Sequence, residues 1–125
     1  MKLGYVIVYV DNAVQATEFY QRAFDLKTKF IHESQMYAEM ESGETTLSFA
    51  NHEMLQIHLG VESQKGMKNC FELAFTTADV QKAFKKAVAC GAKELTKPEV
   101  KPWGQTLAYV QDPYGTIVEI CTPMG

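Results

Sequence analysis

The chain has one arginine, Arg22, in 125 residues, and its 12 Lys+Arg are outweighed by 15 Asp+Glu, a formal net charge of −3. With no basic field to hold phosphates, nucleic acid and anionic membrane surfaces are not expected as partners. There are three cysteines, Cys70, Cys90 and Cys121, an odd number with no C-x-x-C spacing. That excludes a disulfide framework and a zinc knuckle and predicts reduced thiols. Long apolar runs are missing too. The opening KLGYVIVYVDN is too short and too soon charged for a signal peptide or a membrane span, so a cytoplasmic protein is expected. Of the few histidines, His52 and His58 bracket HEMLQIH, which resembles the metalloprotease helix H-E-x-x-H but misses its spacing. A separation of six places the two rings roughly 240° apart at about 100° per residue, whereas a ligand pair needs one helical face. Surface histidines beside a short helix are expected instead.

What is present is a core's worth of apolar residues, 46% of the chain, arranged as a pattern written twice. LGYVIVYV alternates as a strand and is followed by DNAVQATEFYQRAFD, where Val14, Phe19, Tyr20, Ala23 and Phe24 form a helical stripe. Asn12 suits the helix N-cap, with Gln15 as its capping-box partner. Later, CFELAFTT precedes ADVQKAFKKAVACGA, where Val80, Ala83, Phe84, Ala87 and Val88 repeat the stripe and Gly91 closes the helix. LKTKFIH, MYAEMES and GETTLSFAN follow the first helix; AKELTKP, QTLAYVQ and GTIVEIC follow the second. The expectation is one α+β domain over 1–125 made of two β-α-β-β-β modules, about 1–50 and 70–125. The linker, about 51–69, should contain a short helix and then a polar, Gly-containing stretch.

The C-terminal DPYGTIVEIC places one carboxylate, Glu119, in an apolar strand. Strand side chains alternate, so Glu119 shares a face with Ile117 and Cys121, away from Val118 and Ile120. The same parity separates Tyr5, Ile7 and Tyr9 from Val6, Val8 and Val10, then Thr46, Ser48 and Ala50 from Leu47 and Phe49, and Glu72 and Ala74 from Phe71, Leu73 and Phe75. In each strand the bulky apolar face belongs under the helices, which leaves Tyr5, Ser48, Glu72 and Glu119 on the other side.

The duplicated β-α-β-β-β, the FY pair in the first helix and D-P-x-G-x-x-x-E in the last hairpin together resemble the vicinal oxygen chelate superfamily, which includes glyoxalase I, bleomycin-resistance proteins and extradiol dioxygenases. The resemblance covers nearly the whole chain. It implies curved sheets from two modules around a cleft, helices outside, and, for short members, a homodimer. It also implies four ligand positions in metal-dependent relatives, usually histidine or glutamine, glutamate, histidine and glutamate. Tyr5, Ser48, Glu72 and Glu119 fall there, so only Glu119 keeps the usual type. A second alignment takes MLQIHL as the strand and offers Gln56, at the expense of the match between TTLSFAN and the last strand.

Two glutamates, a tyrosine and a serine are a poor set for zinc or nickel, and oxygen ligands suit magnesium or manganese better. The expectation is therefore a degenerate metal site, with Glu72 and Glu119 the only candidate ligands, and a small organic molecule bound in the cleft. In the alternative reading the protein is a metal-dependent lyase or isomerase of glyoxalase I type, against which the single arginine counts, since a glutathione conjugate carries carboxylates. Without metal, two carboxylates in an apolar cleft repel, and one pKa rises; such a pair could act as general acid and base beside a carbonyl. They could equally hydrogen-bond tyrosine hydroxyls, with Tyr5, Tyr9 and Tyr109 as candidates. KPEVKPWGQT, residues 97–106, is expected as a loop stiffened by its two prolines; the resemblance implies that it lies near the cleft mouth, with Trp103 and Gln105 as candidates to cover and orient a ligand. Cys121 is read as buried filler, because no histidine is placed to activate it.

Overall fold

A computed structural model describes residues 1–60 and 71–124. The polar end of the expected linker and Cys70 lie outside the described residues. Contacts divide the chain into two units, Met1–Met67 and Lys68–Gly125, and each is a four-stranded mixed sheet with a helix against one face.

In the first unit β1 (Tyr5–Val10), α1 (Ala13–Phe24), β2 (Lys27–Ile31), β3 (Tyr37–Glu41) and β4 (Thr46–Asn51) give the sheet order β1-β4-β3-β2. β1 and β4 run parallel; the remaining pairs are antiparallel. Asn12 caps α1, its Oδ1 accepting from the Gln15 N–H at 3.0 Å, and Asn51 Oδ1 accepts from Ala13 N–H at 2.8 Å. Between them these side chains satisfy two of the donors that a helix start leaves open. The buried face of α1 is Ala13, Ala16, Thr17, Phe19, Tyr20 and Ala23, so the stripe is turned slightly from the expected one, with Val14 and Phe24 at its half-exposed margins. It covers Ala38, Met40, Leu47 and Phe49, all buried. The Tyr20 ring lies 4.7 Å from that of Phe49 and 5.7 Å from that of Phe19, within the range of favourable tilted and edge-on contact.

The short helix α2 (His52–Leu59) follows β4 directly and ends at Gly60, φ 66°, whose N–H donates to the Gln56 carbonyl at 2.9 Å. MLQIHL is therefore helix, which overturns the alignment built on Gln56 and leaves Ser48 in the strand. The reason is the pair of end signals, an extended Asn51 before the segment and a left-handed Gly60 after it. His52 and His58 both lie on α2, and the His52 ring sits 3.6 Å from Asp11 Oδ1.

The second unit repeats the order with β5 (Glu72–Thr76), α3 (Val80–Ala89), β6 (Lys93–Val100), β7 (Thr106–Gln111) and β8 (Ile117–Cys121), sheet order β5-β8-β7-β6. Asp79 caps α3 as Asn12 caps α1, its Oδ1 accepting from Lys82 N–H at 3.1 Å. Gly91, φ 112°, stands just past the cap residue Cys90. Val80, Phe84 and Ala87 are buried on α3, as are Ala108, Val110, Val118 and Ile120 on the sheet beneath.

One expected loop is half strand. Residues 97–100 of KPEVKPWGQT belong to β6, and only 101–105 form the turn, closed by Lys101 N–H to Gln105 C=O at 2.8 Å and Gly104 N–H to Lys101 C=O at 2.8 Å. Pro98 is accommodated because β6 is an edge strand, and the pairing register shifts between Thr96 and Glu99, around the proline. Among the described residues no helix is long and apolar enough to cross a membrane.

Candidate functional site

Strand register decides which side chains share a face. In the second unit Ala74 pairs with Glu119, and Glu119 with Tyr109; Glu72 pairs with Ile117, one step along the same face. Val118 and Ile120, on the other face, are 0% and 1% exposed under α3. Glu119, Glu72 and Tyr109 therefore face away from the helix, as strand parity requires.

The Tyr109 hydroxyl donates to Glu119 Oε1 at 2.8 Å. Of the tyrosines considered as partners for the acid pair, Tyr109 is the one that holds Glu119. This hydrogen bond, then burial, then the charges of Glu119 and Glu72 push the Tyr109 pKa up to about 12, so the phenol keeps its proton at physiological pH. Glu72 is exposed, yet partial burial first and the negative charge of Glu119 second raise its pKa above the usual carboxylate value. The two carboxylates thus interact. Cys121, two residues beyond Glu119, is buried, and its thiol donates to the Phe75 carbonyl at 3.8 Å. Burial, then the neighbouring Glu119, push its pKa up to about 11, the opposite of what a nucleophilic thiolate needs.

The turn after β6 uses its polar atoms internally. Trp103 Nε1 donates to Gln105 Oε1 at 3.0 Å, and Gln105 Nε2 donates to the Thr122 carbonyl at 2.6 Å. Gln105 thereby ties the turn to the end of β8, and Trp103, 60% exposed, is held by Gln105.

In the first unit Tyr5 pairs with Thr46 and Ile7 with Ser48. Tyr5 and Ile7 are exposed, on the face away from α1. Ser48 is fully buried, and its hydroxyl lies 3.0 Å from the Tyr37 hydroxyl. The Tyr37 hydroxyl is also 2.8 Å from Glu39 Oε2. A phenol has one hydrogen, and the carboxylate can only accept, so Tyr37 donates to Glu39 and the Ser48 hydroxyl donates to Tyr37. Burial raises the Tyr37 pKa, the Ser48 bond lowers it, and Glu39 and Tyr5 raise it.

Tyr37 and Glu39 were not among the residues expected from the sequence. YAEME carried the signal, since Ala38 and Met40 are fully buried while Tyr37 and Glu39 take the opposite parity. Glu39 is the register partner of Ser48, as Tyr109 is of Glu119.

A glyoxalase-like domain model matches residues 3–125. The chain belongs to the glyoxalase-like family. This places it in the vicinal oxygen chelate superfamily and matches the two-module fold. The uncharacterized protein YraH of Bacillus subtilis is 27% identical over 124 residues, which cover 96% of this chain and 97% of that protein. A glyoxalase-related enzyme from Fulvimarina pelagi superposes with a TM-score of 0.86 at 21% identity, over 98% of this chain and 88% of that one. A glyoxalase/bleomycin resistance protein/dioxygenase family enzyme from Burkholderia phytofirmans gives a TM-score of 0.80 at 24% identity, over 98% of both chains. At these identities the structural likeness establishes the fold, and chemistry has to be argued from side chains.

Zinc and nickel favour imidazole or several carboxylates. Among the described residues no group of three histidine, cysteine, aspartate or glutamate side chains is gathered in a way that could hold an ion. Of the carboxylates on the second sheet's open face, Glu99, the register partner of Leu107, pairs with Lys101 at 3.3 Å, and one oxygen of Glu119 already accepts from Tyr109, which leaves Glu72. At the corresponding places of the first sheet stand Tyr5 and Ser48, and the Ser48 hydroxyl is bound to Tyr37. These donors do not fit a transition metal.

Proposed function

We propose that this glyoxalase-like protein binds a small organic molecule on the helix-free face of the second sheet, at Glu119, Tyr109 and Glu72, without a transition metal. The observation that carries the reading is the 2.8 Å hydrogen bond from Tyr109 to Glu119. It holds one carboxylate oxygen in place and leaves the second for a ligand donor. Glu72, whose pKa is raised, holds a proton at higher pH than an ordinary carboxyl. It can give that proton to a ligand carbonyl or take one from the adjacent carbon. Trp103 on the β6–β7 turn supplies an exposed ring for the apolar part of a ligand.

A metal-dependent lyase or isomerase of glyoxalase I type is the second reading, favoured by the proximity of Glu72 and Glu119 and opposed by the donor set. In that case magnesium or manganese suits the oxygen ligands better than zinc or nickel does. The proposed protein is a homodimer, as open sheet edges favour pairing.

The experiment is a ligand screen by thermal shift and NMR on the metal-stripped protein, repeated with Glu119→Gln and Tyr109→Phe. A ligand that binds the stripped protein and loses at least about tenfold in affinity with Glu119→Gln supports the reading, a loss on the scale of one charge-assisted hydrogen bond. Hemithioacetal isomerisation appearing only on addition of magnesium, manganese, zinc or nickel would replace it with the second reading.

A further inference from the structure

The first sheet has its own unassigned group. Glu39 is half-exposed, and among the described residues its hydrogen bonding is confined to Oε2, which accepts from Tyr37. Its second oxygen is left for an outside donor. Phe30 is the register partner of Glu39 on β2, so its ring rises from the same face, and it is 40% exposed. The His32 ring stacks on Phe30, with centroids 6.2 Å apart and planes 12° apart, and extends that wall. Tyr37, on the same strand as Glu39, forms a second wall, its hydroxyl 2.8 Å from Glu39 Oε2. A carboxylate oxygen set among ring faces is complementary to an organic cation, which gains a charge-assisted hydrogen bond at one end and ring contact along the other.

We infer that Glu39, with Phe30 and Tyr37 around it, is a recognition site for an organic ammonium or amidinium group carried on an apolar body. No lysine or arginine lies on β1, β3 or β4. Lys27 on β2 is the register partner of Glu41, two residues from Glu39. β2 also carries Lys29, at the register shift between Thr28 and Phe30, so the lysines of this sheet's strands are confined to β2. Tyr37 cannot replace the ligand as the donor to both oxygens, because it has one hydrogen. Buried Ser48 holds the phenol from behind, so the carboxylate is oriented before any ligand arrives, and less ordering remains to be done on binding.

This site is independent of the Glu119 site proposed above, and the two are tested apart. Three probes share a phenyl ring and a short chain and differ in charge: 2-phenylethylamine as its ammonium, 2-phenylethanol and 3-phenylpropionate. Affinities are measured by NMR titration at pH 7 on the whole chain, following the backbone amides of Phe30, Tyr37 and Glu39. The ammonium should bind at least about tenfold more tightly than the alcohol, and the carboxylate more weakly than either. Glu39→Gln, whose amide oxygen still accepts from Tyr37, should remove that preference, while Glu119→Gln leaves it in place. Phe30→Leu should weaken the ammonium and the alcohol together, and it serves as the second variant should Glu39→Gln fail to fold. The proposal is overturned if ammonium and alcohol bind alike, if the ammonium does not bind, or if the preference survives Glu39→Gln. A preference lost only with Glu119→Gln overturns it as well and transfers the cation to the second sheet.

Discussion

The two sheets share strand order, pairing and helix capping, and they differ in where the carboxylate stands. In the second sheet Glu119 on β8 accepts from Tyr109 on β7. In the first, the residue in the place of Glu119 is Ser48, and the acid has moved across the register to Glu39 on β3, with Tyr37 two residues away on the same strand. Both arrangements hold a carboxylate with a tyrosine hydroxyl on the face away from the helix. The scaffold thus specifies a face and a spacing, while the strand that bears the charge is free to change, because register partners lie side by side. Burial differs too. β4 is covered on both faces through most of its length, while Glu119 on β8 is half-exposed. A charge fits the latter position and not the former.

Exchanging the two residues gives the largest effect. Ser48→Glu places a carboxylate where the side chain is fully buried and beside Glu39, so it should destabilise the protein by more than about 3 kcal/mol at pH 7, the scale of an uncompensated buried charge. Urea denaturation at pH 7 measures this, and part of the loss should be recovered near pH 4 as the new acid takes a proton. The reverse exchange, Glu119→Ser, should cost no more than about 1.5 kcal/mol, since it removes one hydrogen bond at a half-exposed position. Equal costs would break the comparison and show the two places to be buried alike.

The duplication, the cap at Asn12 and the parity of four strands were all legible, because a two-residue period and a helical stripe are local properties of the chain. Parity put Tyr5, Glu72 and Glu119 on the open face without reference to any relative. Glu39 was missed for a physical reason of its own. Face parity was read on β1, β4, β5 and β8 and not on β3, whereas cross-strand register, which makes Glu39 a neighbour of Ser48, depends on pairing that strand parity does not contain. Of the edge strand β6, expected at AKELTKP, only the end was hidden, because Pro98 reads as a loop until its place at the rim of the sheet is known. That Ser48 is spent on Tyr37 and Gln105 on Thr122 depends on rotamers, which sequence patterns do not carry.

The next effect in size is Tyr109→Phe. At neutral pH it removes a hydrogen bond to a carboxylate and should cost about 1 kcal/mol. The alkaline limb is the sharper test. The phenol's pKa is about 12 in the folded protein against 10.0 for the free side chain. The proton is therefore held more tightly in the fold, and the stability this contributes is complete below pH 10, then lost as pH rises toward 12. Wild-type stability should fall across that window, and the Tyr109→Phe curve should fall less. Parallel curves would mean that Tyr109 is not bound to Glu119 in solution, and the likeness between the two phenol–carboxylate pairs would go with it.

The smallest effect belongs to Glu72, which in the first sheet corresponds to the uncharged Tyr5. Its pKa is raised above 4.5, by partial burial first and by Glu119 second. A carboxyl with a raised folded-state pKa contributes stability that is present below its unfolded value and is lost as pH rises through the folded one. Glu72→Gln should accordingly match the wild type at pH 3 and exceed it at pH 7. The gain should stay below about 1 kcal/mol, because an exposed group is screened by solvent and salt. Thermal denaturation between those two pH values, at low and high ionic strength, reads the difference. In the background of Glu119→Gln the gain should shrink and not vanish, since the charge of Glu119 is removed while the burial of Glu72 remains. A gain unchanged in that background would show that the two carboxylates do not interact, leaving Glu119 and Tyr109 alone as the counterpart of Glu39 and Tyr37.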